Sequence, residues 1–173
     1  MLDRLRESLT GRVMLVGIGN RLRGDDGLGS ELIARLRGRV EVELLDCGEV
    51  PERYFGLIEE ARPESILLID AVDLSAEPGA AALFEADELP DRMGTTHNVP
   101  LSVLAGYLAE QTGAKVMLLA VQPQSTALQT LLSPRVERTL DALMEIISQW
   151  DEGRPKACKE MVQPVVHTAG GAN

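Results

Sequence analysis

The 173-residue chain has no block of consecutive basic residues, and its formal net charge is −10. Nucleic-acid phosphates demand a basic footprint, so the composition argues against a nucleic-acid partner. No apolar run approaches the roughly eighteen residues needed to cross a bilayer. The N-terminal stretch MLDRLRESLTGR also lacks the apolar segment of a secretory signal. A soluble, cytoplasmic protein without membrane insertion is expected. Only two cysteines are present, Cys47 and Cys158, far apart in the chain; with no export signal they are expected to be thiols rather than a disulfide. There is no GxSxG elbow, and Cys47 has no histidine neighbour in sequence, so nothing marks a serine or cysteine nucleophile. Internal repeats and linkers are absent as well. With 45% hydrophobic residues, the chain can bury a sizeable core and reads as one domain.

What is present is an alternation of apolar runs and helical periods. VMLVGIG after Arg12 closes in glycines, as a strand buried on both faces does. From Gly27 to Arg37, the positions Leu28, Leu32, Ile33 and Leu36 repeat at helical spacing, with Asp25 and Asp26 placed to cap the helix. Val40 to Leu45 reads as the second strand, Pro51 to Ala61 as a helix and Ser65 to Ile69 as the third strand. AALFEAD, from Ala80 to Asp87, follows a Pro78-Gly79 turn and reads as a further strand, open to an antiparallel setting. Leu101, Leu104, Ala105 and Leu108 mark a helix that Gly113 stops; VMLLAV is the fifth strand. Val136, Leu140, Leu143, Met144, Ile147 and Trp150 form the stripe of a last helix that starts at Ser133-Pro134. This order predicts a single three-layer α/β domain over residues 1–150, with a twisted, mostly parallel five-stranded sheet and helices on both faces. Residues 151–173 carry two prolines and a Gly-Gly pair without a sustained period, and read as a flexible tail. His167 and Cys158 lie in that tail, which gives ligands no preset geometry.

Ligand sites of open α/β sheets lie off the carboxyl ends of the strands, so the polar residues there are the candidates. The clusters are GIGNRLRGDDG, DCGEVPE, DAVD, TTHNVP and VQPQS. Glycines after the first strand and Asp46 at the second invite a dinucleotide reading. Gly17, Gly19 and Gly24 nevertheless give GxGxxxxG, and Asp25 and Asp26 put two carboxylates where a pyrophosphate needs bare amides. An NAD(P)-binding oxidoreductase is therefore the weaker alternative. Asp70 directly follows SILLI, where a charge needs a partner. It reads either as a loop aspartate bonded to nearby backbone or as a cation ligand. His97 lies in a polar turn ahead of a helix and reads either as a surface or capping residue or as a ligand. Asp26, Asp70 and His97 converge on one crevice in this topology. Two carboxylates and one imidazole suit nickel, zinc, iron or manganese and leave coordination positions open.

Taken together, GIGNRLRGDDGLG, LLDCGEVPE, LLIDAVDL with the following EPG, TTHNVPLSVL and VQPQS resemble the nickel-iron hydrogenase maturation endopeptidases, in particular the hydrogenase 3, or formate hydrogenlyase, type. The likeness runs over about residues 12–150. It implies an α/β domain and a metal-binding trio that falls on Asp26, Asp70 and His97, with Asp25 as an alternative acid. Relatives often carry Glu at the first position, so Asp26 is one methylene shorter. The resemblance further implies an aspartyl-type maturation peptidase that cuts the C-terminal extension from a hydrogenase large-subunit precursor after nickel insertion. Nickel would come with the precursor, and zinc or cadmium would serve as surrogates. Gly19, Asn20, Asp25, Gly48 and Gln122 are the candidates for contacts to the substrate peptide. A non-catalytic nickel chaperone would use the same ligands and is the other alternative.

Overall fold

The computed structural model describes residues 1–89 and 99–155. Among these, the elements run α1 (Leu2–Ser8), β1 (Val13–Ile18), a 3-10 turn (Gly24–Gly27), α2 (Leu28–Leu36), β2 (Glu43–Gly48), α3 (Phe55–Ala61), β3 (Ser65–Ala71), β4 (Ala81–Glu85), α4 (Leu101–Thr112), β5 (Lys115–Val121) and α5 (Pro134–Glu152). The five strands form one sheet in the order β2-β1-β3-β5-β4. All neighbours are parallel except the edge strand β4, which pairs antiparallel with β5. The expected fold class is the observed one.

Side chains alternate across the pleat, which divides the core into two layers. Val13, Leu15, Leu67, Ile69, Met117, Leu119 and Val121 pack against α1, α2 and α5 on one face. Met14, Val16, Ile18, Ile66, Leu68, Val116 and Leu118 pack against α3 and α4 on the other. The three central strands are buried along nearly their whole length, and for that reason read as unbroken apolar runs.

The structure departs from the sequence reading at several elements; β3 continues past Ile69 to Ala71, and Pro51–Tyr54 form a 3-10 turn ahead of α3. α1 is an added element: its seven residues are too few to show a period, and Leu5 is its large apolar side chain in the core. β2 begins at Glu43 rather than Val40. Val40 and Val42, which suggested the earlier start, instead pack against the core from the approach to the strand. α5 continues past Trp150 to Glu152. There the Arg154 guanidinium lies 4.8 Å from the Trp150 ring centroid and donates to Gly11 O at 2.6 Å, so the chain stays docked at least that far.

Candidate active site at the β1 and β3 strand ends

The sheet order turns outward on both sides of β1, since β2 and β3 flank it. Such a switch point opens a crevice at the strand carboxyl ends. The crevice here is narrow because α2 is seated directly on it. A Cβ on Gly29 would lie 2.3 Å from both Ile18 O and Ile69 O, and a Cβ on Gly17 would lie 2.4 Å from Gly29 O. Only glycine permits so close an approach of helix to strand. The result is that the turn preceding α2 is held against the ends of β1 and β3.

That turn carries Asp25 and Asp26, and neither caps α2 as the sequence suggested: its N-cap is Gly27, without a side-chain cap bond. Both carboxylates are buried, at 0% and 1% exposure. They serve different ends. Asp25 accepts four hydrogen bonds from the far side of the chain. Gln124 N donates at 2.8 Å and Ser125 N at 3.0 Å to Oδ2, while Ser133 N at 2.6 Å and Ser133 Oγ at 2.9 Å reach Oδ1 and Oδ2 respectively. This carboxylate ties the β1 turn to the loop after β5 and to the N-cap of α5. Asp26 Oδ2 accepts from Asn20 N at 3.0 Å, so the Asn20 backbone orients it.

Gly19 makes that orientation available. Its φ is +131°, and a Cβ there would stand 1.7 Å from Asp26 O. Gly19 N donates to Gly48 O at 2.9 Å, and Gly48, at φ +55°, closes the end of β2. Asn20 folds its own turn, with Oδ1 accepting from Leu22 N at 2.8 Å. Below it, Asp46 accepts from Ser30 Oγ at 2.6 Å and from Arg21 Nη2 at 3.3 Å. Ser30 and Arg21 were not picked out in the sequence, where a serine in a helix and an arginine in a loop carry no signal of their own.

Asp70 lies within β3 rather than at a loop edge. It is fully buried, and its Oδ1 accepts from Ala71 N at 2.8 Å. It follows Ile66 and Leu68 on the pleat, so it faces the layer of α3 and α4. α4 is the helix that His97 precedes in sequence; His97 itself lies outside the described residues. Among the described residues no three His, Cys, Asp or Glu side chains are grouped so as to hold a metal ion. Gln122 is engaged within the chain: its Oε1 accepts from Leu74 N at 2.6 Å and Ala76 N at 3.2 Å, holding the loop after β3. Cys47, buried in β2, has its thiol pushed up to about 12 by burial and, secondarily, by the neighbouring Asp46 carboxylate. A thiol so protected is no nucleophile.

The family model for hydrogenase maturation proteases of the HycI type matches residues 28–150. The chain belongs to the hydrogenase maturation protease family. It is 28% identical over 141 residues to the hydrogenase 3 maturation protease of Escherichia coli, covering 80% of this chain and 90% of that protein. The crystal structure of a [NiFe] hydrogenase maturation protease HycI from Thermococcus kodakarensis KOD1 is similar with a TM-score of 0.78 at 32% identity, covering 86% of this chain and 99% of that one. The solution structure of the endopeptidase HycI from E. coli gives 0.73 at 28%, over 81% and 91%. Membership makes this chain a hydrolase of the peptide-cleaving class and removes the dinucleotide reading. The physical reason is visible in the turn before α2, where buried carboxylates occupy the position a pyrophosphate would need.

Proposed function

We propose that this maturation protease removes the C-terminal extension of a nickel-iron hydrogenase large-subunit precursor once nickel is in place, and that Asp26, Asp70 and His97 read the nickel. The observation that carries the proposal is that two buried carboxylates lie at strand ends beside the reversal of strand order, Asp26 in the turn after β1 and Asp70 near the end of β3. Carboxylate oxygens with one imidazole make a donor set without thiolate, which suits an open site better than a closed structural one. The precursor's nickel is then part of the substrate. The enzyme supplies fixed oxygen ligands, with Asp26 oriented by Asn20 N and Asp70 by its place in β3. Nickel on the precursor would gain these oxygen ligands and a nickel-free precursor would not, so loaded and unloaded precursor differ in binding. Zinc or cadmium, of like charge and ligand preference, would stand in for nickel in binding experiments.

The test compares nickel-loaded with nickel-free precursor at equal concentration, read by the intact mass of the large subunit. Loss of the tail mass from the loaded precursor alone is expected, and Asp70→Asn should abolish it. Equal cleavage of a verified metal-free precursor refutes nickel reading. An unchanged mass with nickel transferred to or from the partner would instead identify a chaperone.

A further inference from the structure

Beside the turn that holds Asp26 stand three exposed leucines and a cation. Leu22 is 59% exposed, Leu128 86% and Leu131 78%. They come from segments distant in sequence that a short parallel bridge joins. Gln129 N donates to Leu22 O at 3.0 Å and Gly24 N to Gln129 O at 2.7 Å, pairing Arg23 with Gln129. In a parallel pair the residues one step back on each segment lie side by side, which sets Leu22 beside Leu128. Leu22 and Leu131 also border a groove of about 610 Å³, whose floor includes Gly24, Gly27, Leu132 and Pro134. An exposed cluster of large aliphatic side chains around a groove is the mark of an interaction surface.

The charges around it indicate what it receives. Although the chain as a whole is at −10, Leu22 stands between Arg21 and Arg23. Arg21 is engaged with Asp46 and Glu31, and Arg35 in the groove wall with Glu31, Glu137 and Asp141. Arg23 is exposed and has no ion-pair partner among the described residues. An apolar segment carrying a carboxylate therefore complements the tip. The same turn is bonded to the site: Asn20 N donates to Asp26 Oδ2 at 3.0 Å, and Asp26 N donates to Arg23 O at 3.2 Å. Whatever docks on Leu22 and Arg23 is thereby brought next to Asp26.

We infer that Leu22, Arg23, Leu128 and Leu131 form the docking surface for the precursor, taking an apolar, carboxylate-bearing segment of it outside the cleaved bond. This rests on the function proposed above. Docking contributes affinity, and the carboxylates at the strand ends contribute nickel selectivity, so the two are separable in KM and kcat.

The experiment measures cleavage of the nickel-loaded precursor by wild type, by the double variant Leu128→Ser/Leu131→Ser and by Arg23→Glu, with thermal unfolding as the folding control. Truncating two exposed anchors is expected to raise KM by on the order of 100-fold with kcat near wild type. Arg23→Glu should raise KM by roughly tenfold and reduce its dependence on salt. Wild-type cleavage with an unchanged KM in the folded double variant overturns the docking surface and leaves the proposed function standing. Substitutions that dissociate a homo-oligomer in sedimentation while KM stays constant also overturn it, since the occupant is then a second copy. Failure of the wild type to cut the loaded precursor removes both readings together.

Discussion

Replacing Asp25 by alanine should destabilise the fold strongly, because its carboxylate joins segments far apart in the chain. Its carboxylate accepts from four donors. Gln124 is exposed and Ser125 half-buried, so water can replace the lost acceptor for those two amides. Ser133, however, is only 7% exposed, and its N–H and hydroxyl would be left facing an apolar gap. Two buried donors without an acceptor, each costing about 1–3 kcal/mol, place the loss near 4 kcal/mol. For a domain of this size, a loss of that order lowers Tm by roughly 8–16 °C. Asp25→Asn should fall between wild type and alanine, because it keeps one acceptor but turns an amide NH2 toward the converging donors. Trp150 is the single tryptophan and is 1% exposed, so its emission reports unfolding in urea without added label. A loss below about 1 kcal/mol for Asp25→Ala would refute the assignment, since it would mean the four donors find other partners at little cost.

Gly19→Ala should abolish activity and lower stability by about 2–4 kcal/mol, because the added Cβ meets Asp26 O at 1.7 Å in a backbone region that L residues avoid; a folded, fully active variant would show that the turn has room to shift. In a Cys158→Ser background, Cys47 should resist a thiol-modifying reagent at pH 8 until urea unfolds the chain. Because its folded pKa is raised above the ordinary value of 9.0, the stability tied to it is fully present below pH 9.0 and is lost as the pH climbs toward about 12. A Cys47→Ala variant with the same decline as its parent would locate that pH dependence elsewhere.

The central strands and α5 were readable from sequence because burial on both faces, or along one stripe, leaves a continuous record in residue type. β2 is an edge strand with half-buried side chains, and its apolar signal belongs partly to Val40 and Val42, which pack without joining the sheet. The candidate site was readable only in part. Adjacent aspartates in a Gly-Asp-Asp-Gly turn look alike in sequence, yet one is turned toward Asn20 and the other toward Ser133. That distinction depends on where the loop after β5 returns, a tertiary fact with no local signal. Gln122 likewise stood at a strand end where ligands bind, while its amide holds Leu74 and Ala76. His97, the remaining member of the expected trio, lies outside the described residues.

The bonds of Asp25 to Gln124, Ser125 and Ser133 span 99 to 108 residues. On a ribosome, the turn before α2 emerges long before the segment that fixes it. Contacts of such sequence separation form late, after the loop entropy between them has been overcome. Synthesis through Ser133 is therefore required before all four bonds that fix this turn can form. Completion of the chain at the start of α5 thus reaches back to set the turn that precedes α2.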